Sequence, residues 1–253
     1  MLIDTHAHLT YPPLSDETDQ IIARAQQAGV MRILTVGTSP EDSRSAVALA
    51  EKYENVFAIV GIHPNDANAY PSLDELRPLL LSPKVLALGE TGLDYHHSDA
   101  DHENQHRLFI QHIELARETH LPLIVHCREA FDDTLSILGT SGREARGVFH
   151  CFSGTPEQAT FLIEQGWLIS FSGTVTFKTL KRFAAVLLRS ARIISLSKPI
   201  VHFCRPNRCE RFVRMNPLLW PIPPGFWRIC LGCRWNVFRK KRSKTLKKFS
   251  ARN

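Results

Sequence analysis

The sequence predicts an α/β fold, the TIM (β/α)8 barrel, on three observations. Short β-branched or apolar runs alternate with amphipathic stretches across residues 1–177, the pattern of βαβ units around a parallel sheet. The 253 residues, 43% of them apolar, are enough for one large barrel or two ordinary domains. Side chains able to bind metal recur at the C-terminal ends of the apolar runs, where such a barrel builds its site.

Seven strands are expected, at residues 2–6, 31–37, 57–63, 85–90, 121–126, 147–152 and 168–173. The stretches between them carry helix starts. Ser15-Asp16-Glu17 precedes Ile21, Ile22 and Ala25, and Ser39-Pro40-Glu41-Asp42 opens a helix running through Ala46 to Tyr53. Across residues 101–119, Leu108, Phe109, His112, Ile113, Leu115 and Ala116 recur at helical spacing. Thr155 and Pro156 supply an N-cap and a first helical residue. Seven strands, each followed by a helix, fall one short of a closed barrel. The missing unit is expected after residue 177, where residues 192–197 pass as a strand.

The strand ends carry the chemistry. Strand one ends in His6-Ala7-His8, strand four in Gly89-Glu90, strand five in His126-Cys127 and strand six in His150-Cys151. Alternation along a strand turns His6 and His8 to one side. A single strand-end histidine such as His63, His126 or His150 is more often a hydrogen-bonded structural residue. Histidines on strands one, five and six with a glutamate on strand four reverse that reading. Imidazole and carboxylate together suit Zn, Mn, Fe or Mg, and Glu90 can bridge two ions. A pair of divalent ions acidifies water and neutralises charge on phosphoryl oxygens. Asp94 reads as a cap carboxylate. His96, His97, His102, His106, His112 and His120 read as solvated or packing residues. Cys127 and Cys151 each follow a candidate ligand, point away from it and read as core. The Ser153-Gly154 and Ser172-Gly173 pairs sit in no nucleophile elbow.

Charge and cysteine usage bound the function classes. No run of about 18 apolar residues occurs, and Met1-Leu2-Ile3-Asp4 opens no signal core, so a cytoplasmic protein away from membranes, with no obligate protein partner, is expected. Six cysteines are too few for a disulfide scaffold. The net charge of +6 averages two unlike parts. Residues 1–177 hold 11 Lys/Arg and 24 Asp/Glu, and residues 178–253 hold 20 Lys/Arg and one acid, Glu210. The overall basic charge therefore says nothing about the catalytic part.

Five motifs, Asp4-Thr5-His6-Ala7-His8, Gly61-Ile62-His63-Pro64, Gly89-Glu90-Thr91-Gly92-Leu93-Asp94-Tyr95, Val125-His126-Cys127-Arg128 and His150-Cys151-Phe152-Ser153-Gly154, resemble in order and spacing the TatD family of metal-dependent deoxyribonucleases. The resemblance covers residues 1–178. It implies hydrolysis of DNA phosphodiester bonds with two divalent metal ions, Mg, Mn or Zn. It implies His6, His8, Glu90, His126 and His150 as ligands, with His63 and Arg128 lining the substrate site and counted with Glu90 as the catalytic group. Alternatives are a small-molecule amidohydrolase and a non-catalytic protein binding nucleic acid through a basic tail.

The family pattern also holds a ligand Asp at the end of strand eight, in a Glu-Thr-Asp-Ser/Ala-Pro motif, and this chain has none. We therefore treat residues 1–178 as the hydrolase barrel and residues 179–253 as an aberrant basic segment, poorly ordered, with strand eight and the C-terminal helices degraded. Reading Ser197 to Phe203 as TCG AAA CCG ATA GTC CAT TTT and shifting the frame gives Glu-Thr-Asp-Ser-Pro-Phe. In the same frame Arg214 to Trp220 permits Asn-Glu-Pro and Leu231 to Asn236 permits Gly-Leu-Ser-Leu-Glu, both in family order. A one-base insertion or deletion near Lys178-Thr179 is the resulting hypothesis, and a resequenced gene intact in the printed frame removes it. Without the strand-eight carboxylate, weak or no activity is expected of the printed chain. Two other readings compete for the tail. Cys204, Cys209, Cys230 and Cys233 can bind zinc. Arg239 to Arg242 with Lys244, Lys247 and Lys248 can bind nucleic-acid phosphates.

Overall fold

A computed structural model describes residues 2–96, 101–171 and 195–196. Its strands are β1 (Leu2–Ala7), β2 (Val30–Val36), β3 (Val56–Val60), β4 (Val85–Asp94), β5 (Leu123–Arg128), β6 (Gly147–Phe149), β7 (Leu168–Phe171) and β8 (Ser195–Leu196). All eight are parallel and pair in chain order from β1 to β8. The α-helices are α1 (Thr18–Gln27), α2 (Pro40–Lys52), α3 (His102–Thr119), α4 (Phe131–Thr140) and α5 (Pro156–Glu164). This is the TIM-barrel class, and β8 forms inside the stretch at residues 192–197 that reads as a strand. The remainder of residues 172–253, with the tail cysteines, the basic cluster, Ser172-Gly173 and the C-terminal helices, lies outside the described residues, as does His97.

Local chemistry sets the helix starts. The Ser39 hydroxyl accepts from Asp42 N, Asp101 accepts from Asn104 N, and Thr155 with Gln158 forms a reciprocal capping box. The expectation of an α-helix after every strand fails between β3 and β4. There two 3-10 segments, Pro64–Ala69 and Asp74–Leu81, take its place. Pro64, Pro71 and Pro78 remove backbone donors too often for a long α-helix to propagate.

Strand alternation divides the core in two. Ile33 of β2, Val56, Ala58 and Val60 of β3, and Leu123 and Val125 of β5 pack against helix residues such as Ala46, Phe109, Ile113 and Leu162. The alternate residues Leu34 and Val36, Ile59, Ala87 and Ile124 form a separate buried cluster lined by Phe57 and Val148. Because helix residues are confined to the first cluster, the second is the barrel interior. The interior is thus apolar below the strand ends and polar at them. No described helix is long and apolar enough to cross a membrane.

Candidate metal centre

The mouth of the barrel is built by departures from regular pairing. Between Asp4 and Ala7 β1 holds one residue more than β2 opposite, and β4 holds one more than β5 between Leu88 and Thr91. Such bulges re-aim side chains. They place His6 and Glu90, and they put Glu90 in the middle of β4 rather than at the strand end expected for it. His8 and His150 stand just past β1 and β6, in loop and turn, rather than within the strands. Gly92 has φ +133°, and a Cβ there would meet the His126 carbonyl oxygen. Only glycine lets β4 lie this close to β5.

Five imidazoles surround one buried carboxylate. Glu90 is 4% exposed, and its Oε2 lies 3.1 Å from His6 Nε2 and 4.0 Å from His8 Nε2. Its Oε1 lies 2.7 Å from His126 Nδ1, 3.8 Å from His63 Nε2 and 4.0 Å from His150 Nε2. The His6 and His150 rings stack at 3.5 Å, and His6 Nε2 is 3.1 Å from His8 Nε2. Two three-residue sets bring ligand atoms within 4.8 Å of one another: His6, Glu90 and His150, and His63, Glu90 and His126. His63, expected on the substrate wall, therefore stands inside a ligand set, while His8 flanks the other. Arg128 ends β5, part-exposed, two residues beyond His126.

The donor set fits divalent cations. Ring nitrogens are packed against one another around a single carboxylate, an arrangement in which either protons repel or lone pairs do. A cation accepted by such nitrogens and shared through Glu90 removes the conflict. His63 Nδ1 accepts from Asn65 N at 3.2 Å, so a cation at the second set has to displace a proton from Nε2.

Electrostatics follow the same geometry. Burial acts to raise the Glu90 carboxyl, but the neighbouring His6 and hydrogen bonds from His126 and His6 hold it well below the carboxylate range. Burial and the neighbouring His6 push His150 well below its ordinary value. For His126 burial is overcome by Asp94 and Glu90, and the ring is raised to about 9. Asp94 is lowered to about 2 against its burial, chiefly by the hydrogen bond from His126.

Several neighbours were not recognised in the sequence. Asp94, taken there as a cap carboxylate, is 2% exposed, and its Oδ2 lies 2.9 Å from His126 Nε2. No local signal shows this, because the partner lies on another strand. Tyr11 bonds the Thr38 hydroxyl and sets its ring 5.3 Å from His8. His112 is a packing residue: Nδ1 donates to Leu108 O and Nε2 accepts from Ile62 N, fixing the residue beside His63. Of the other histidines expected to be solvated or packing, His96 pairs with Glu129 at 2.7 Å and His102 stacks on Tyr95. Cys127 is part-buried against the core, and burial pushes its thiol up. A cleft of about 520 Å³ opens beside the site, walled by Tyr95, Phe131 and Phe152 with Glu129, Asp132 and Asp133.

Comparison with known sequences settles the ancestry. The sequence model of the family described as TatD related DNase matches residues 3–198. The chain belongs to that family. The match runs 20 residues past Lys178, through β8. Relatives of this TatD-family chain include the metal-dependent hydrolase YabD of Bacillus subtilis, 38% identical over 185 residues and covering 72% of each chain. A protein of Cronobacter sakazakii named 3'-5' ssDNA/RNA exonuclease TatD is 34% identical over 69% of this chain and 67% of its own. The crystal structure of the TatD homologue YjjV from Escherichia coli superposes with a TM-score of 0.72 at 31% identity, over 83% of this chain and 87% of that one. The chain is thus of a metal-dependent hydrolase family with a TIM-barrel fold.

Proposed function

We propose that this barrel cleaves phosphodiester bonds of DNA by metal-dependent hydrolysis. The observation that carries the reading is the convergence of His6, His63, His126 and His150, each on or just beyond a different strand, on the single buried carboxylate of Glu90. In this reading two divalent ions, Mg, Mn or Zn, are held by His6, Glu90 and His150 with His8 alongside, and by His63, Glu90 and His126. Bound there, such ions supply Lewis acidity toward phosphoryl oxygens and lower the pKa of water.

The chain's own groups do the remaining work. Glu90 holds its charge despite burial and joins the two sets. His126 can release its Nδ1 proton when a cation arrives, with Asp94 holding the other end of the ring. Arg128 brings the nearest cationic side chain of β5 to the mouth, suited to an anionic substrate. The cleft beside the site has aromatic and carboxylate walls and no Lys or Arg among the described residues of its lining, which suits a base better than a phosphate. Relatives named as exonucleases of single-stranded DNA and RNA support the substrate class.

Residues 179–253 belong to the proposal as a segment read out of frame, so that the printed chain lacks one carboxylate at strand eight. The test is a cleavage assay on single- and double-stranded DNA with Mg, Mn or Zn. The printed chain, its His6→Ala variant and a frame-restored chain are compared. Metal-dependent cleavage by the frame-restored chain, much weaker in the printed chain and lost in His6→Ala, is expected. Absence of metal-dependent cleavage after restoration overturns the nuclease reading. If the printed tail then binds DNA, the non-catalytic reading replaces it, and hydrolysis of a small amide instead would make the barrel an amidohydrolase.

A further inference from the structure

We propose that Asp94 is a positioning residue that presents His126 to the cation site through Nδ1, with Gln105 of α3 clamping Asp94 for that task. The inference rests on the cation reading above and deepens it.

An imidazole coordinates through one nitrogen and is oriented through the other. The two ends of the His126 ring are differently occupied. Nδ1 faces the ligand set, 2.7 Å from Glu90 Oε1 and 3.4 Å from His63 Nε2. Nε2 faces away from His63 and donates to Asp94 Oδ2 at 2.9 Å. A carboxylate on Nε2 fixes the proton at that end and leaves the Nδ1 lone pair for a cation. It also raises the basicity of the ring as a ligand.

Asp94 is itself held from three directions. Its Oδ1 accepts from His96 N at 3.0 Å, which sets the plane of the carboxylate. Gln105, 2% exposed, accepts from Asp94 N through Oε1 at 2.8 Å and donates to Asp94 O through Nε2 at 3.0 Å. A buried glutamine that satisfies both backbone groups of one residue substitutes for a strand partner at the end of β4. Here it ties that end to α3, while the backbone pairing of Asp94 with Arg128 and of Gly92 with His126 keeps β5 in register. The chain of contacts from Gln105 to Asp94 to His126 therefore fixes the rotation of one ligand ring from an element outside the mouth. By contrast the Nδ1 atom of His6, also a ring of the mouth, has no such partner among the described residues.

The test measures Zn affinity by competition with a chelator in the full chain and in Asp94→Ala, Asp94→Asn and Gln105→Ala. It also records the protonated ring nitrogen of His126 in the Zn-loaded protein by long-range nitrogen–proton NMR. Asp94→Ala is expected to weaken Zn binding by about 10- to 100-fold, the usual worth of an outer partner of a ligand histidine. Asp94→Asn keeps an oxygen that can accept from Nε2–H and is close to isosteric, so it should fold and lose less. Gln105→Ala should lose least. In the unaltered chain the His126 proton is expected on Nε2. Equal affinity in Asp94→Ala and the unaltered chain, or a proton on Nδ1 in the loaded protein, overturns the positioning role while leaving the cation site intact. An unaltered chain that takes up none of Zn, Mn and Mg overturns the cation reading and this inference together.

Discussion

The two ends of the barrel are made by the same strands and obey different rules. Below the mouth, Leu34, Val36, Ile59, Ala87 and Ile124 fill the interior with apolar side chains, each 5% exposed or less. At the mouth the same degree of burial is given to His6, His8, Glu90, Thr91 and Asp94. β4 shows the change within one strand: Ala87 and Leu88 pack, and two residues further on Glu90 gathers imidazoles. Burial that stabilises the first set costs free energy in the second, unless partners compensate. The interior holds the curled sheet in shape, and the mouth uses that rigidity to keep like groups together.

If this division is right, variants at the two ends should fail in different ways. Glu90→Gln should produce the largest loss, because both ligand sets share that carboxylate. Divalent-metal affinity is expected to fall by more than about 100-fold, beyond the range for an outer partner, with thermal stability of the metal-free protein little reduced. Titration calorimetry with Mn or Zn and a melting curve check it, and a variant that keeps its affinity breaks the comparison. Ile59→Ala, at the other end, should do the reverse. Loss of a fully buried aliphatic side chain is expected to cost about 2–5 kcal/mol in a denaturant titration, with metal affinity per folded molecule unchanged.

His112 sharpens the contrast, since it is a buried histidine with a structural task. Burial lowers it to about 4, with the Leu108 carbonyl opposing. The unfolded chain protonates near pH 6.5 and the folded one only near 4, so the neutral ring contributes stability that is full above 6.5 and lost as pH falls to about 4. About 3 kcal/mol should disappear over that window and be missing from His112→Gln. Asp94, lowered to about 2, stabilises above pH 4 and its contribution is lost only below that. A pH series of unfolding curves separates the two. Thr155→Ala is the smallest change. It removes one side of the capping box on α5, and a loss of about 1 kcal/mol without effect on metal binding is expected from chemical denaturation.

Much of the fold was legible because periodicity of two and strong helix caps are local properties. Ser39 and Thr155 cap the helices where their sequence places them. The strand starts at Val85 and Leu168 coincide with the expectation. What was not legible depends on pairing between strands. The extra residues in β1 and β4 that aim His6 and Glu90 are visible only against β2 and β5. Asp94 could not be told from a cap carboxylate until His126 stood beside it. For His63 the resemblance implied only a place on the substrate wall; its approach to Glu90 accompanies the close crossing of Gly61 and Gly89, where a Cβ on Gly61 would strike the Gly89 backbone. The composition break after residue 177 was plain in the charge count, whereas the family match to residue 198 is a matter of aligned pattern rather than composition.

The convergence of histidines on Glu90 is tested most directly by diffraction from crystals soaked in Mn, with anomalous maps recorded at the Mn edge. The account predicts one peak among His6, Glu90 and His150 and a second among His63, Glu90 and His126, with Glu90 touching both. Peaks elsewhere, or an empty mouth in protein saturated with Mn, would contradict it.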